Sequence, residues 1–294
     1  MLLAAIDIGT NAVRLFFSNV FEQNETVIAE KASLVRIPIR LGEDVFSSGV
    51  ISPEKTDRLV KTMQAFKLLI EVNQPEAFRA CATSAMREAR NGPQVVERIK
   101  AETGIEIEII DGENEANLVS TFSNLNITQK HAYVMFVDVG GGSTEISVMK
   151  KGKLVESVSF RIGTVRLLNN KVDEAEWQRM KQWLKPWKKK QEKLLLVGSG
   201  GNINKITKLY GRIPENILTE DNLSYALKHL ALFTVNQRIE LMGLRPDRAD
   251  VIIPAGEIFQ FIMKQTGAQS VYVPKIGLSD GIVTALYRAR QAAS

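Results

Sequence analysis

Cysteine is nearly absent. The one present, Cys81, cannot form an intrachain disulfide, so the fold rests on an ordinary core and suits a reducing cytoplasm. Histidine is almost as scarce. His131 and His229 lack ligand spacing, which excludes a histidine-built zinc centre. No apolar run approaches the roughly 20 residues that a bilayer-spanning helix needs. The opening MLLAAIDIG has no basic region and no small-residue cleavage site, and reads as a buried strand instead of a secretory leader. No module combines basic and aromatic residues in the manner of a nucleic-acid reader. These absences point to a cytoplasmic protein with no membrane and no specific nucleic-acid partner.

What is present is ordinary for a globular chain. It has 294 residues, 45% hydrophobic and 24% charged, enough for about two domains. The formal charge of +5 is compatible with an anionic ligand without identifying one. Much of the excess sits in KPWKKKQEK, Lys185–Lys193, just after Trp177 and Trp183. The plain reading is a solvated helix face of amphipathic lysines; the sharper one is a docking stripe for a long polyanion.

Strand and helix patterns alternate, which argues α/β. Leu2–Ile8 and Val13–Val20 read as strands, and Thr26–Ile37 as two more. Ser52 and Pro53 open a helix whose apolar residues recur at Leu59, Met63, Phe66 and Ile70. Pro93–Thr103 is a second helix, closed by Gly104. From residue 133 a similar series begins, with strands at Val134–Val137, Glu145–Met149, Leu154–Phe160 and Leu194–Val197. Beyond it the chain reads as mainly helical, except for a short strand at Ser270–Val273.

One segment occurs twice. Ala4–Phe17 (AAIDIGTNAVRLFF) and Met135–Val148 (MFVDVGGGSTEISV) share an apolar strand, Asp-x-Gly, small polar residues and a second apolar strand. Asp7 and Asp138 stand 131 residues apart, a domain-length spacing that indicates duplication of a whole domain, not a solenoid. The break is expected near residue 128, in Asn126–Lys130. A carboxylate at the end of a buried strand needs a partner, and Mg²⁺ is one that takes one or two protein carboxylates beside water and phosphate. Glycines allow positive φ and close approach, successive N–H groups form an anion nest, and Thr10, Asn11, Ser143 and Thr144 add donors. Taken singly, each segment is also readable as a tight hairpin.

Three further segments fit phosphate chemistry. Gly198-Ser-Gly-Gly201 joins a strand to a helix and exposes helix N-terminal N–H groups, although it matches neither a Walker A nor a Rossmann loop. Asp111-Gly-Glu-Asn-Glu115 places acids at a strand-to-helix junction, where they serve either as dipole partners or as the base that a hydrolase needs. Arg87, with Arg40 and Arg166, offers bidentate phosphate contacts, against the plain alternative of surface ion pairs.

Taken together, these segments resemble the exopolyphosphatase / guanosine pentaphosphate phosphatase (Ppx/GppA) family of the actin-like ATPase superfamily. The resemblance runs in order through DIGTNAVRL, IRLGEDV, ATSAMREARN, IIDGENEANL, DVGGGSTEIS, GSGGNI, RADVIIPAG and GLSDGIV. It implies two duplicated actin-like (ribonuclease H-like) domains, mixed β-sheets flanked by helices, and an active site in the interdomain cleft. The domains would be 1–128 plus 280–294, and 129–279. It implies hydrolysis of a terminal phosphate from inorganic polyphosphate or guanosine pentaphosphate, with Mg²⁺ as cofactor, in a homodimer.

By residue, the resemblance makes Glu115 the water-activating base and Asp138 and Glu145 the acids that organise water and Mg²⁺; the strand-end carboxylate reading adds Asp7 as a further metal position. Gly9, Thr10, Asn11, Gly141, Gly142 and Ser143 become phosphate-binding, with Arg87; Gly200 and Gly201 join them as N–H donors of the strand-to-helix turn. The chain departs from the pattern at Ala12, where serine is common, at Asn117 for arginine, at Asn202 for threonine, and in GLSDG around Ser279, which lacks an arginine. The competing functions are a nucleotide-dependent kinase or ATPase of the same superfamily and a non-catalytic binder of guanosine tetra- or pentaphosphate.

Overall fold

A computed structural model describes residues 1–23, 26–120, 131–190 and 193–293. The chain divides into two compact units, Met1–Thr121 with Leu278–Ser294, and Phe122–Gly277. The expected break near residue 128 lies outside the described residues.

The first unit contains β1 (Leu2–Ile8), β2 (Val13–Gln23), β3 (Thr26–Ile37), α1 (Leu41–Ser48), α2 (Pro53–Asn73), β4 (Ala77–Ala82), α3 (Ser84–Glu88), α4 (Gly92–Thr103), β5 (Ile107–Ile109) and α5 (Gly112–Ser120). Its five strands lie in the order β3-β2-β1-β4-β5, antiparallel on the β3 side of β1 and parallel on the other. Strand β1 is covered on both faces, as its continuous apolar run requires. Ser52 caps α2 by accepting the Lys55 N–H, with Pro53 at the first helical position. The C-terminal helix, Leu278–Ala293, packs Leu278, Ile282, Val283 and Tyr287 against Leu3, Ala5, Phe16 and Cys81 of this unit. Gly281 is necessary there, because a Cβ would stand 2.3 Å from the Leu118 carbonyl oxygen.

The second unit contains β6 (Tyr133–Val139), β7 (Thr144–Lys150), β8 (Lys153–Phe160), α6 (Thr164–Leu168), α7 (Glu174–Lys188), β9 (Leu194–Ser199), α8 (Gly201–Tyr210), β10 (Ile217–Thr219), α9 (Glu220–Ala231), α10 (Val235–Glu240), α11 (Pro246–Ala249), α12 (Ile252–Thr266) and β11 (Ser270–Tyr272). Its sheet runs β10-β11-β9-β6-β7-β8. Read from β8, the series β8-β7-β6-β9-β11 repeats β3-β2-β1-β4-β5 in order and in strand direction. Strand β10 is the addition.

The duplication reaches single residues. In the first unit the β2–β3 register slips between Phe17 and Ser18, so that Ala32 is the extra residue. In the second it slips between Val148 and Met149, so that Val155 is extra. Phe17 and Val148 are the last residues of the repeated segment. Each bulge interrupts an edge strand, a device that blunts edge-to-edge pairing.

Two expectations need correction. Thr26–Ile37 is one long strand and not two, because the polar residues inside it are the exposed positions of an edge strand. The region after α8 is not purely helical before Ser270, since Ile217–Thr219 pairs with β11; three residues are too few to show a period.

Candidate active site

The first turn links β1 to β2. Asp7 at its start is buried and faces Arg14 directly across the two strands, and Arg14 Nη1 donates to Asp7 Oδ2. The Gly9 N–H donates to the Ala12 carbonyl at 3.1 Å, closing the turn around Thr10 and Asn11. The Arg40 and Gly42 N–H groups, at the start of α1, donate to the Asn11 and Thr10 carbonyls at 3.0 Å each. The carbonyls of the turn are thereby satisfied from behind. Gly42 permits this approach, since a Cβ there would stand 2.3 Å from Thr10 Cγ2. Arg40 sits in the left-handed region and pairs with Glu43 instead of reaching outward as a free clamp.

The turn connects to α3 through a 2.8 Å hydrogen bond between Thr10 Oγ1 and Ser84 Oγ. On α3, Arg87 Nη1 donates to the Ile110 carbonyl at 2.6 Å and lies 3.8 Å from Glu115 Oε2. The three acids at the start of α5 separate by role. Asp111 caps the helix by accepting the Asn114 N–H at 2.7 Å, and Glu113 is exposed. Glu115 is only 7% exposed. Dipole stabilisation explains the first two; a buried carboxylate beside a guanidinium needs a further reason. Cys81, opposite Asp7 on β4, takes no such part: burial pushes its thiol up to about 12, with Arg79 opposing and Glu108, Asp7 and Glu115 adding to the rise. It stays neutral at physiological pH.

The second turn repeats the first. The Gly140 N–H donates to the Ser143 carbonyl at 2.9 Å, in the place of Gly9 and Ala12. The N–H groups of Thr164, Val165 and Arg166 donate to the Gly140 and Gly141 carbonyls, as the start of α1 does in the first unit. Gly163 makes this possible, because a Cβ would stand 2.4 Å from the Gly141 carbonyl oxygen. Arg166 is buried and its Nε donates to the Gly142 carbonyl at 2.9 Å, so it supports the turn. Replacing Gly163 with alanine should displace this turn. We expect a lowered unfolding midpoint and loss of turnover, checked by urea unfolding and steady-state kinetics.

The positive φ expected of the hairpin glycines is not found. Gly9, Gly140, Gly141 and Gly142 all lack it. Space is what demands glycine at Gly9 and Gly140, where a Cβ would come within 3.2 and 3.1 Å of the facing carbonyl oxygens. Positive φ does occur at Gly200 (107°), where the absent Cβ leaves room for Asp138 Oδ1. Gly201 starts α8 against the Arg248 guanidinium. Lys205, one turn on, has its pKa lowered by burial and by the charges of Lys208 and Arg248. The potential at this helix start therefore favours anions.

The units differ at the paired position that carries the strand-end aspartate. Where Asp7 faces Arg14, Asp138 faces Glu145. Glu145 is 2% exposed and also accepts the Ser159 hydroxyl at 2.9 Å. Directly opposed carboxylates on neighbouring strands are unfavourable without a cation. Their hard oxygen donors fit Mg²⁺, which keeps water in its other positions. Among the described residues no group of three or more His, Cys, Asp or Glu side chains could hold a metal. Two carboxylates are nonetheless an ordinary Mg²⁺ complement.

A model of the Ppx/GppA phosphatase family matches residues 23–289. The chain belongs to this family. Its curated relatives include the bifunctional 3-dehydroquinate synthase/phosphatase of Fusobacterium nucleatum, 30% identical over 92% of this chain but only 44% of that protein. The chain thus spans less than half of this relative. Exopolyphosphatase 1 of Mycobacterium tuberculosis is 24% identical over 96% of this chain and 87% of its own length. Among solved structures, the Aquifex aeolicus member of the Ppx/GppA family aligns with a TM-score of 0.77 and 25% identity, covering 99% of this chain and 98% of that one. The two sheets and their flanking helices are thus the actin-like architecture of Ppx/GppA proteins. Sequence reasoning missed Gly42, Gly140 and Gly163, which shape the turns. Gly140 alone had a visible signal, its alignment with Gly9 in the repeat.

Proposed function

We propose that this Ppx/GppA protein is a phosphoanhydride hydrolase that removes the terminal phosphate of inorganic polyphosphate, with guanosine pentaphosphate as the alternative substrate. The observation that carries the reading is the convergence of the first turn, Arg87 and buried Glu115 through Ser84 and α3. The relative named as an exopolyphosphatase supports the substrate class.

Phosphoryl transfer of this kind has a loose transition state, so positioning and charge neutralisation supply most of the catalysis. The backbone N–H groups of Thr10 and Asn11 and of Gly141 and Gly142 are the phosphate donors in this reading, while the carbonyls of the turns are already taken by the starts of α1 and α6. Arg87 contributes positive charge, and Glu115 orients a water molecule and accepts its proton. Asp138 and Glu145 would hold Mg²⁺, which when bound neutralises charge on the phosphate oxygens. Gly200 and Gly201 extend the anion-binding surface. Ala12 offers no hydroxyl to the first turn, which leaves backbone donors as the main grip there.

Phosphate release from polyphosphate and from guanosine pentaphosphate, measured side by side with and without Mg²⁺, tests the proposal. The expected result is Mg²⁺-dependent release with no nucleotide acceptor present. A strict requirement for a nucleotide acceptor would favour the kinase alternative, and tight binding without turnover the non-catalytic one.

A further inference from the structure

The lysine-rich segment after α7 plays no part in the turns, yet it does not stand alone. Tyr133, the first residue of β6, lies opposite Lys150 at the end of β7 and opposite Leu194 at the start of β9. Lys150 Nζ is 5.7 Å from the Tyr133 ring centre and Lys190 Nζ is 4.9 Å from the same ring. Lys190 also lies 4.4 Å from the Trp187 ring. These contacts bring the β7–β8 turn, with Lys151 and Lys153, beside the end of α7, with Lys185, Lys188 and Lys189. Every lysine of this group except half-buried Lys190 is exposed. Among the described residues none of them forms an ion pair with a carboxylate.

Seven ammonium groups gathered at one end of a sheet raise a local positive potential, partly screened by salt, that attracts a polyanion. The patch lies at the opposite end of β6 from the Asp138 turn, about 20 Å away along a seven-residue strand. Only a long anion reaches both. The aromatic rings here are not open stacking platforms: Trp187 is 4% exposed, and Tyr133 is half-buried beneath two lysines. Sites for single-stranded nucleic acid usually add base stacking to their charge. A chain of bare phosphates needs only the charge.

We propose that this patch is a docking surface for the distal part of a long inorganic polyphosphate chain, separate from the turns that hold its reacting end. The proposal rests on the polyphosphatase reading and deepens it to chain-length preference. Bound there, a long chain is retained between successive cleavages, whereas a tripolyphosphate is too short to feel the patch.

The test is a variant carrying Lys153→Gln, Lys185→Gln, Lys188→Gln and Lys189→Gln, all exposed positions outside the turns. KM and kcat are measured on tripolyphosphate and on polyphosphate several hundred units long, at low and physiological salt, with direct binding of labelled long polyphosphate alongside. We expect the long-chain KM to rise about tenfold at low salt, with a shallower salt dependence, while kcat and all tripolyphosphate parameters stay unchanged. An unchanged long-chain KM and unchanged binding would overturn the proposal. If neither protein releases phosphate from any chain, the polyphosphatase reading fails, and the binding measurement still decides the patch: affinity lost in the variant supports it, equal affinity overturns it. Wild-type binding to single-stranded RNA or to anionic vesicles in preference to polyphosphate, lost in the variant, would also overturn the polyphosphate assignment.

Discussion

Glu115→Gln should slow phosphate release by about 10²–10⁴-fold, the range expected when a general base is removed. Glutamine keeps the size of the side chain and its place in the first turn of α5, but accepts no proton at neutral pH. Folding should survive, because Arg87 retains its 2.6 Å bond to the Ile110 carbonyl and Asp111 still caps the helix. Substrate binding should also survive, since the turns and their supporting helices are untouched. The expected signature is thus a collapse in kcat with little change in KM or in the unfolding midpoint. A variant that folds normally and keeps its full rate would remove Glu115 from the mechanism.

Glu145→Gln should separate metal binding from folding. Asp138 and Glu145 face each other across β6 and β7. Glutamine keeps the size of the side chain and can still accept the Ser159 hydroxyl, so the metal-free variant should melt close to the wild type. Adding Mg²⁺ should raise the wild-type midpoint, because a ligand at about 100 times its Kd stabilises by roughly 2.7 kcal/mol. The variant should lose most of that rise and most of its turnover. A variant that keeps the full Mg²⁺-dependent shift would place the metal elsewhere. Arg14 and Glu145 occupy the same position of the repeat, so the same measurement on Arg14→Gln should leave the Mg²⁺-dependent shift in place if the metal sits at Asp138 and Glu145.

Much of this was legible in the sequence because both signals are local. The Asp-x-Gly segments announce themselves by repetition, and the capped start of α2 by Ser52 and Pro53. What escaped depends on tertiary contacts. Gly42 and Gly163 look like loop glycines until their facing residues, Thr10 and Gly141, are placed beside them. Helix α1 has no side-chain cap and begins at Arg40 in a left-handed conformation, so it carries no start signal. Arg166 resembled a surface cation, yet it is buried and supports a carbonyl of the second turn. The matching bulges at Ala32 and Val155 leave no trace in composition and appear only as register shifts.

In the proposed reaction, the residues around the duplicated turns direct water at a terminal phosphoanhydride. Polyphosphate hydrolysis in water enriched with heavy oxygen tests it most directly. Each released phosphate should carry one solvent oxygen, with Mg²⁺ present and no nucleotide added, and Glu115→Gln should release almost none. Released phosphate without solvent oxygen, or label entering at an undiminished rate in Glu115→Gln, would contradict it.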